Sequence, residues 1–386
     1  MNAVLVKPTM LRWARERAAL SEEQLANKLN VPTSRLLAWE GGLKSPTFKQ
    51  AEKIAQKTHV PFGCLFLPEP PPEVLPIPDL RTWEGIPLEQ PSADFFDLIR
   101  NVMFQQDWYR EYRLEYGADP LPFVGKFRLG ADVQTVAEDI RRTLNMDHLL
   151  SAPNWEKHLG LLCDRCEEVG IWIMRAGYIG SNTHRTLRVE EFRGFAISDP
   201  LVPLIFINGK DAKAAQIFTL AHELAHLWFG ESGISNLRFD EAASGKHVRI
   251  ERVCNRVAAE LLVPRARFLA AWNSENSPND NVLALTGAFK VSGVVIARRA
   301  LDLGKIDNLT YRTFCQQELK SWQKKQEKKT DGGNYYATLP IANGRKFTDA
   351  VLISAMSGKL LLRDAGGLLH MNPRTIQELF RQKHKE

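Results

Sequence analysis

The stretch "FTLAHELAHLWFG" (218–230) sets two histidines four residues apart, with a glutamate directly after the first. On a helix, residues i and i+4 share a face about one turn apart, so His222 and His226 can address one ion. Glu223 lies one residue round from His222, beside that ion without binding it, where a carboxylate can take a proton from a water at the metal. Phe218, Leu220, Ala221, Leu224, Ala225, Leu227, Trp228 and Phe229 surround the pattern on nearly every side, which predicts a core helix with a buried, shaped site. The competing reading makes both histidines hydrogen-bonded core residues; the H-E-x-x-H spacing favours zinc.

A catalytic zinc needs at least three protein ligands, so another donor must come from elsewhere. "HVRIERVCNRVAAELLVP" (247–264) has helical periodicity, with Ile250, Cys254, Val257, Ala258 and Leu261 on a broad apolar face and Pro264 to stop it. Glu251 lies at the edge of that face and is the favoured third ligand. Asn255, one turn later, can hydrogen-bond a ligand histidine from behind. Asp240, Glu241 and His247, in the polar connection "RFDEAASGKH", are competing donors. No residue stands out to stabilise an oxyanion, although Tyr178, His247 and Tyr311 qualify by type.

The segment "FRGFAISDPLVPLIFINGKDAKAAQIFTLAHELAHLWFG" (192–230) followed by "IERVCNRVAAELLVP" (250–264) resembles the ImmA/IrrE-type metallopeptidases, over most of residues 93–310. The resemblance implies a zincin-like fold, Zn2+ as cofactor, His222, His226 and Glu251 as ligands and Glu223 as general base. Cys254 stands where that family usually has a small residue. It is read first as core packing and second as a redox-sensitive neighbour of the site.

Other elements must carry and position this site. Residues 5–67 break into four short helices. Ser21 and Gln24 form a capping box opening the second, Leu25, Ala26 and Leu29 give it one apolar stripe, and "NVP" (30–32) breaks it. A third helix from Pro32 to about Glu40 turns Leu36 and Trp39 inward and Thr33, Ser34, Arg35 and Ala38 outward, the way a helix-turn-helix offers its second helix to the major groove. Lys44, just beyond it, adds a cation for the DNA backbone. The segment "LSEEQLANKLNVPTSRLLAWEGGLKSPT" resembles phage-repressor-like (XRE-type) helix-turn-helix domains, including the W-E-x-G turn and the P-T that opens the fourth helix. That likeness implies an operator-like DNA site and a homodimer. Glu22 departs from it, standing where those repressors often carry glutamine against the DNA. From Leu5 to Leu67 there are ten Lys and Arg against five Glu, a positive excess that favours nucleic acid modestly. The alternative is a helix-turn-helix that binds only protein, a second copy or a related repressor.

The chain has 386 residues, 44% of them hydrophobic, and a net charge of +6, which allows two or three domains with real cores. Neither a signal-peptide pattern nor a membrane-spanning run is seen, and five cysteines without framework spacing point to the reducing cytoplasm. Cys163 and Cys166 form one C-x-x-C with no second pair, so they are read as residues of a helix face. The predicted class is mainly α with a small β-sheet (α+β). Its parts are an all-α helix-turn-helix domain (1–67), a Pro-rich linker (68–91) acting as a semi-rigid strap, a zincin-like metallopeptidase domain (92–318), a charged linker (319–336) and a small helical recognition or assembly domain (337–386). Strands are expected over 169–177, 192–198 and 201–208, just before the metal helix, with a peptide substrate adding as a strand beside "LVPLIFIN".

Taken with its two resemblances, the chain is expected to be a DNA-binding regulator with a gated zinc endopeptidase. Its substrate would be a repressor- or antitoxin-like partner controlling a mobile-element, toxin–antitoxin or phage-defence operon. The alternative is a non-proteolytic DNA-binding regulator that uses the peptidase fold as a scaffold for a partner or a signal.

Overall fold

A computed structural model describes residues 6–78, 82–83, 86–87, 91–146, 152–235, 246–326 and 335–383. The chain divides into two compact units, Met1–Pro76 with Gln90–Arg100, and Ile77–Glu89 with Asn101–Glu386.

The first unit is built on α1 (Pro8–Arg17), α2 (Glu22–Leu29), α3 (Thr33–Glu40) and α4 (Phe48–Thr58), closed by a 3-10 turn at Phe62–Phe66. Capping boxes open α2 at Ser21/Gln24 and α4 at Thr47/Gln50, each satisfying two otherwise orphaned backbone groups. Asn30 ends α2 in the left-handed region and Pro32 caps α3, which fixes the tight turn between them. Leu11, Leu25, Leu36, Trp39 and Ile54 make the core. At its margin the buried Arg15 guanidinium donates to both oxygens of Glu40, at 2.7 and 2.8 Å, tying α1 to the end of α3.

The second unit begins with two short paired strands, β1 (Thr82–Trp83) and β2 (Ile86–Pro87). It continues with the later turns of α5 (Ala93–Glu115), α6 (Val133–Thr143) and α7 (Trp155–Glu168). Next come β3 (Trp172–Ala176), the hairpin β4 (Tyr178–Ile179) and β5 (Asn182–Thr186), β6 (Gly194–Ile197) and β7 (Leu204–Asn208). Then follow α8 (Lys213–Phe229), β8 (Gly233–Ser235) and α9 (Lys246–Leu262). Five shorter or peripheral helices complete the body: α10 (Arg265–Ala271), α11 (Pro278–Phe289), α12 (Gly293–Asp302), α13 (Asn308–Gln326) and α14 (Tyr335–Asn343). The chain ends in α15 (Arg345–Met356), α16 (Leu362–Leu369) and α17 (Pro373–Lys383). The class is α+β, mainly helical with a small sheet, as expected.

The main sheet has the order β3-β7-β6-β8, with β3 parallel to β7 and the other neighbours antiparallel. This corrects the expectation that a substrate pairs along "LVPLIFIN". Both hydrogen-bonding sides of β7 are taken, by β3 and β6, and every residue of β7 is buried. A continuous apolar run of this kind belongs to a strand covered on both faces. The edge strands are β3 and β8.

α8 lies on β6 and β7, and α9 lies along α8. The close approach of α8 to the sheet depends on Gly194, where a Cβ would come within 2.5 Å of Thr219 and 2.9 Å of the Phe206 carbonyl. At the far end α8 stops at Gly230, which adopts φ +71° and so terminates the helix without Cβ strain. Trp228 then stacks on Phe123 at 4.5 Å and donates its indole N–H to Asp139 on α6 at 2.9 Å. The C-terminal helices pack on the β3 side. The indole of Trp172 donates to the Asn343 carbonyl at 2.7 Å and stacks on Phe347, and Gln105 donates to the Leu368 carbonyl at 2.6 Å. Among the described residues, no single helix is long and apolar enough to cross a membrane.

Candidate functional site

α8 is buried from Gln216 through Phe229, so His222, Glu223 and His226 are held inside the unit. Glu251 and Asn255 face them from α9, one turn apart. His222 Nε2 and His226 Nε2 are 3.1 Å from each other. Glu251 Oε2 lies 3.3 Å from the first and Glu251 Oε1 3.1 Å from the second. Behind the group, His222 Nδ1 meets Asn255 Oδ1 at 2.9 Å. With that N–H donated to the amide oxygen, the His222 Nε2 lone pair points at the other donors, the tautomer a metal ligand requires.

The charges are arranged unevenly. Burial opposes ionisation of Glu251, but the two imidazoles overcome it and hold its carboxyl down to about 2. Burial keeps His222 neutral, lowering its pKa despite Glu251. His226 is pushed the other way: burial works against its charge, yet Cys254 and Glu251 raise it well above the ordinary imidazole range. Glu223 is the outlier. Burial, reinforced by the nearby Glu251 charge and only partly countered by His226, raises its carboxyl to about 8. Among the described residues neither of its oxygens has a well-formed hydrogen bond, although the Ser235 hydroxyl lies close by.

His222, His226, Glu251 and Asn255 are thus brought together, with Glu223 beside them. The competing donors Asp240 and Glu241, and the side chain of His247, lie outside the described residues. Of the oxyanion candidates, Tyr311 is engaged with Cys315 and Arg298, and Tyr178 with the Lys210 ammonium at 3.9 Å. Cys254 is fully buried, as core packing requires, and also bears on His226. Cys163 and Cys166 are both free thiols on α7. Three contributors escaped the sequence reading. Ser235 Oγ lies 3.5 Å from Glu251 Oε1. Gly194 leaves room for Glu223, whose Oε1 would be 3.1 Å from a Cβ there. Asp139 anchors the end of α8 through Trp228. Only the glycine has a local signal, as a small residue inside an apolar strand.

In the first unit Ser34, Arg35 and Lys44 are exposed, Thr33 and Ala38 are half-buried, and Leu36 and Trp39 face the core. Leu43 is 83% exposed beside them. Glu22 is not a free charge, since its carboxylate lies 3.7 Å from Arg15.

Comparison with known families agrees with this geometry. Residues 166–301 match the IrrE N-terminal-like domain of the M78 peptidases, and residues 11–63 match a helix-turn-helix domain. The chain joins an XRE-type helix-turn-helix to an ImmA/IrrE-like peptidase domain. The IrrE-like match contains α8 and α9 whole and points to a metallopeptidase-type hydrolase; the helix-turn-helix match supports DNA binding. A third match, over residues 343–382, is to a domain of unknown function, DUF8813, and spans α15 to α17. No curated protein matches the chain.

Proposed function

We propose that the IrrE-like unit is a zinc endopeptidase and the helix-turn-helix its DNA-targeting module, together a cytoplasmic regulator that cleaves a repressor- or antitoxin-like protein and so switches an operon. The observation that carries this reading is the convergence of His222, His226 and Glu251, with donor atoms 3.1 and 3.3 Å apart. Ligands about 2.0–2.2 Å from a tetrahedral zinc stand about 3.3 Å from one another, so these donors suit the ion as they lie. The buried Glu223 carboxyl, lacking hydrogen bonds of its own, is a second sign that the site is built around a cation.

Bound there, zinc would act as a Lewis acid toward a peptide carbonyl and lower the pKa of water. The chain's residues do the rest. His222 would offer a neutral nitrogen and His226 one that the ion frees by displacing its proton, Glu251 adds one negative charge, and Asn255 fixes the ring of His222. Glu223 accepts the proton of the attacking water on a carboxylate oxygen and passes it to the departing amine. On the DNA side, Arg35 with Thr33, Ser34 and Ala38 reads the major groove and Lys44 contacts phosphate, in a homodimer on an operator-like site. The test is metal content together with cleavage of the protein encoded next to this chain, with Glu223→Gln as control. About one zinc per chain and cleavage abolished in the control are expected; a metal-free protein, or equal cleavage by the control, sinks the proposal.

A further inference from the structure

β8 is an edge strand with one side paired to β6, through Gly194↔Ser235, Phe195↔Ile234 and Ala196↔Gly233. Its other side is not bare. The Ile234 amide donates outward to the Pro78 carbonyl at 3.1 Å, and Ile77 is buried, with 6% of its surface exposed. The next residue along β8 is Ser235, whose hydroxyl lies 3.5 Å from Glu251 and close to Glu223. Ser235 is paired with Gly194, over which the Glu223 carboxylate sits. After a bend at Ile77, the Pro78 carbonyl therefore occupies the outer side of β8 one residue from Ser235, which lies beside the two carboxylates of the candidate site. That is where an extended peptide must add as a strand to bring a carbonyl to Glu223. Prolines on both sides of Ile77 leave the segment a single N–H, so it covers the edge without offering a new one.

We propose that Ile77–Pro78 is an internal blocker, held by the burial of the Ile77 side chain and by the Ile234–Pro78 hydrogen bond on the edge of β8 that receives substrate. The peptidase is silent while the segment is seated and opens to an extended chain when it lifts. This rests on the peptidase reading above.

The test uses the full chain with Ile77→Asp and with the milder Ile77→Ala, both checked for an intact thermal transition. Two readouts are followed: hydrogen exchange of the Ile234 amide, and cleavage of reduced, carboxymethylated lactalbumin by zinc-loaded protein. Removing the buried side chain should speed exchange at Ile234 at least about tenfold. Cleavage should rise with it. A synthetic peptide covering residues 73–83, added to either variant, should restore slow exchange and suppress cleavage. Unchanged exchange at Ile234 in both folded variants overturns the blocker, and so does a parent protein that already cleaves lactalbumin as fast as the variants. If exchange rises and the peptide reverses it while no protein cleaves anything, the blocker stands and the peptidase reading falls.

Discussion

Glu40 in the helix-turn-helix unit and Glu223 in the peptidase-like unit are both buried glutamates, 4% and 0% exposed. Glu40 has both oxygens engaged by the Arg15 guanidinium, at 2.7 and 2.8 Å, so its burial is compensated by a planar cation that matches it. Glu223 has no such partner among the described residues, and burial drives its carboxyl up to about 8. A charge that only holds helices together is closed off by its own chain. In the proposed peptidase, Glu223 is instead a buried carboxyl left open toward the place that a cation and a substrate would occupy. The same contrast separates Glu251, which faces two imidazole nitrogens, from Glu223, which faces none at bonding distance.

The largest effects should come from the open site. Glu223→Gln should lower turnover by roughly 10^2- to 10^4-fold, the usual worth of a general base, while zinc content and thermal stability hold. His222→Ala or His226→Ala should remove the metal instead, as measured by elemental analysis. Because Glu223 is a buried acid without hydrogen bonds, its amide replacement should not weaken the fold. Strong destabilisation by Glu223→Gln would show that the residue is structural, and would erase the contrast with Glu40.

The closed pair should behave in the opposite way. Glu40→Ala leaves a buried guanidinium without its carboxylate, and should cost the first unit about 3–5 kcal/mol in denaturant unfolding. Zinc binding should be unaffected. A loss below about 1 kcal/mol would place Arg15 and Glu40 among surface-like pairs.

Asp139 lies between these cases, a buried carboxylate in the second unit whose partners are all present. Burial works against its charge, but Lys126, Trp228 and Arg142 hold its pKa below the ordinary value. A folded pKa below the unfolded one stabilises in full above the unfolded value of about 3.9 and is lost as pH falls through the folded value. Asp139→Ala should therefore cost about 2 kcal/mol at neutral pH, and the gap from the parent should narrow as the pH drops below about 4. A gap that is constant down to acid pH would assign the loss to packing rather than to charge.

What could be read from the sequence follows the range of each interaction. The capping box at Ser21 and Gln24, and the spacing of His222 and His226, are set within one helical turn, so residue types and intervals suffice. Glu251 and Asn255 were within reach because they share a second periodic helix. Ser235, Asp139 and the contact of Pro78 with Ile234 were not, since each brings together residues far apart in the chain with no local pattern of their own. β8 spans only Gly233–Ser235, too short for an alternation to show. The place of β7 was misjudged although its run Leu-Ile-Phe-Ile carried the cue. Apolar residues on both faces mark an interior strand, and a peptide-accepting edge would more often alternate.

The smallest effects are expected at the exposed face of the helix-turn-helix, where charges are screened and partly paired. Glu22, at the start of α2, lies 3.7 Å from Arg15, so Glu22→Gln removes a negative charge from this face while the Arg15 guanidinium remains held by Glu40. DNA should then bind a few-fold more tightly, with little change in stability, because exposed pairs contribute little to the fold. Arg35→Ala acts in the other direction. If Arg35 contacts phosphate, affinity should fall for all sequences alike and the salt slope should drop by about 1; if it reads a base, discrimination at one position should relax instead. Fluorescence anisotropy on an operator fragment and on random DNA, at several salt concentrations, separates these outcomes. Binding by both variants that matches the parent at every salt concentration would mean that α3 does not face DNA, and its exposed Leu37, with Leu43 beyond it, would then belong to a protein interface.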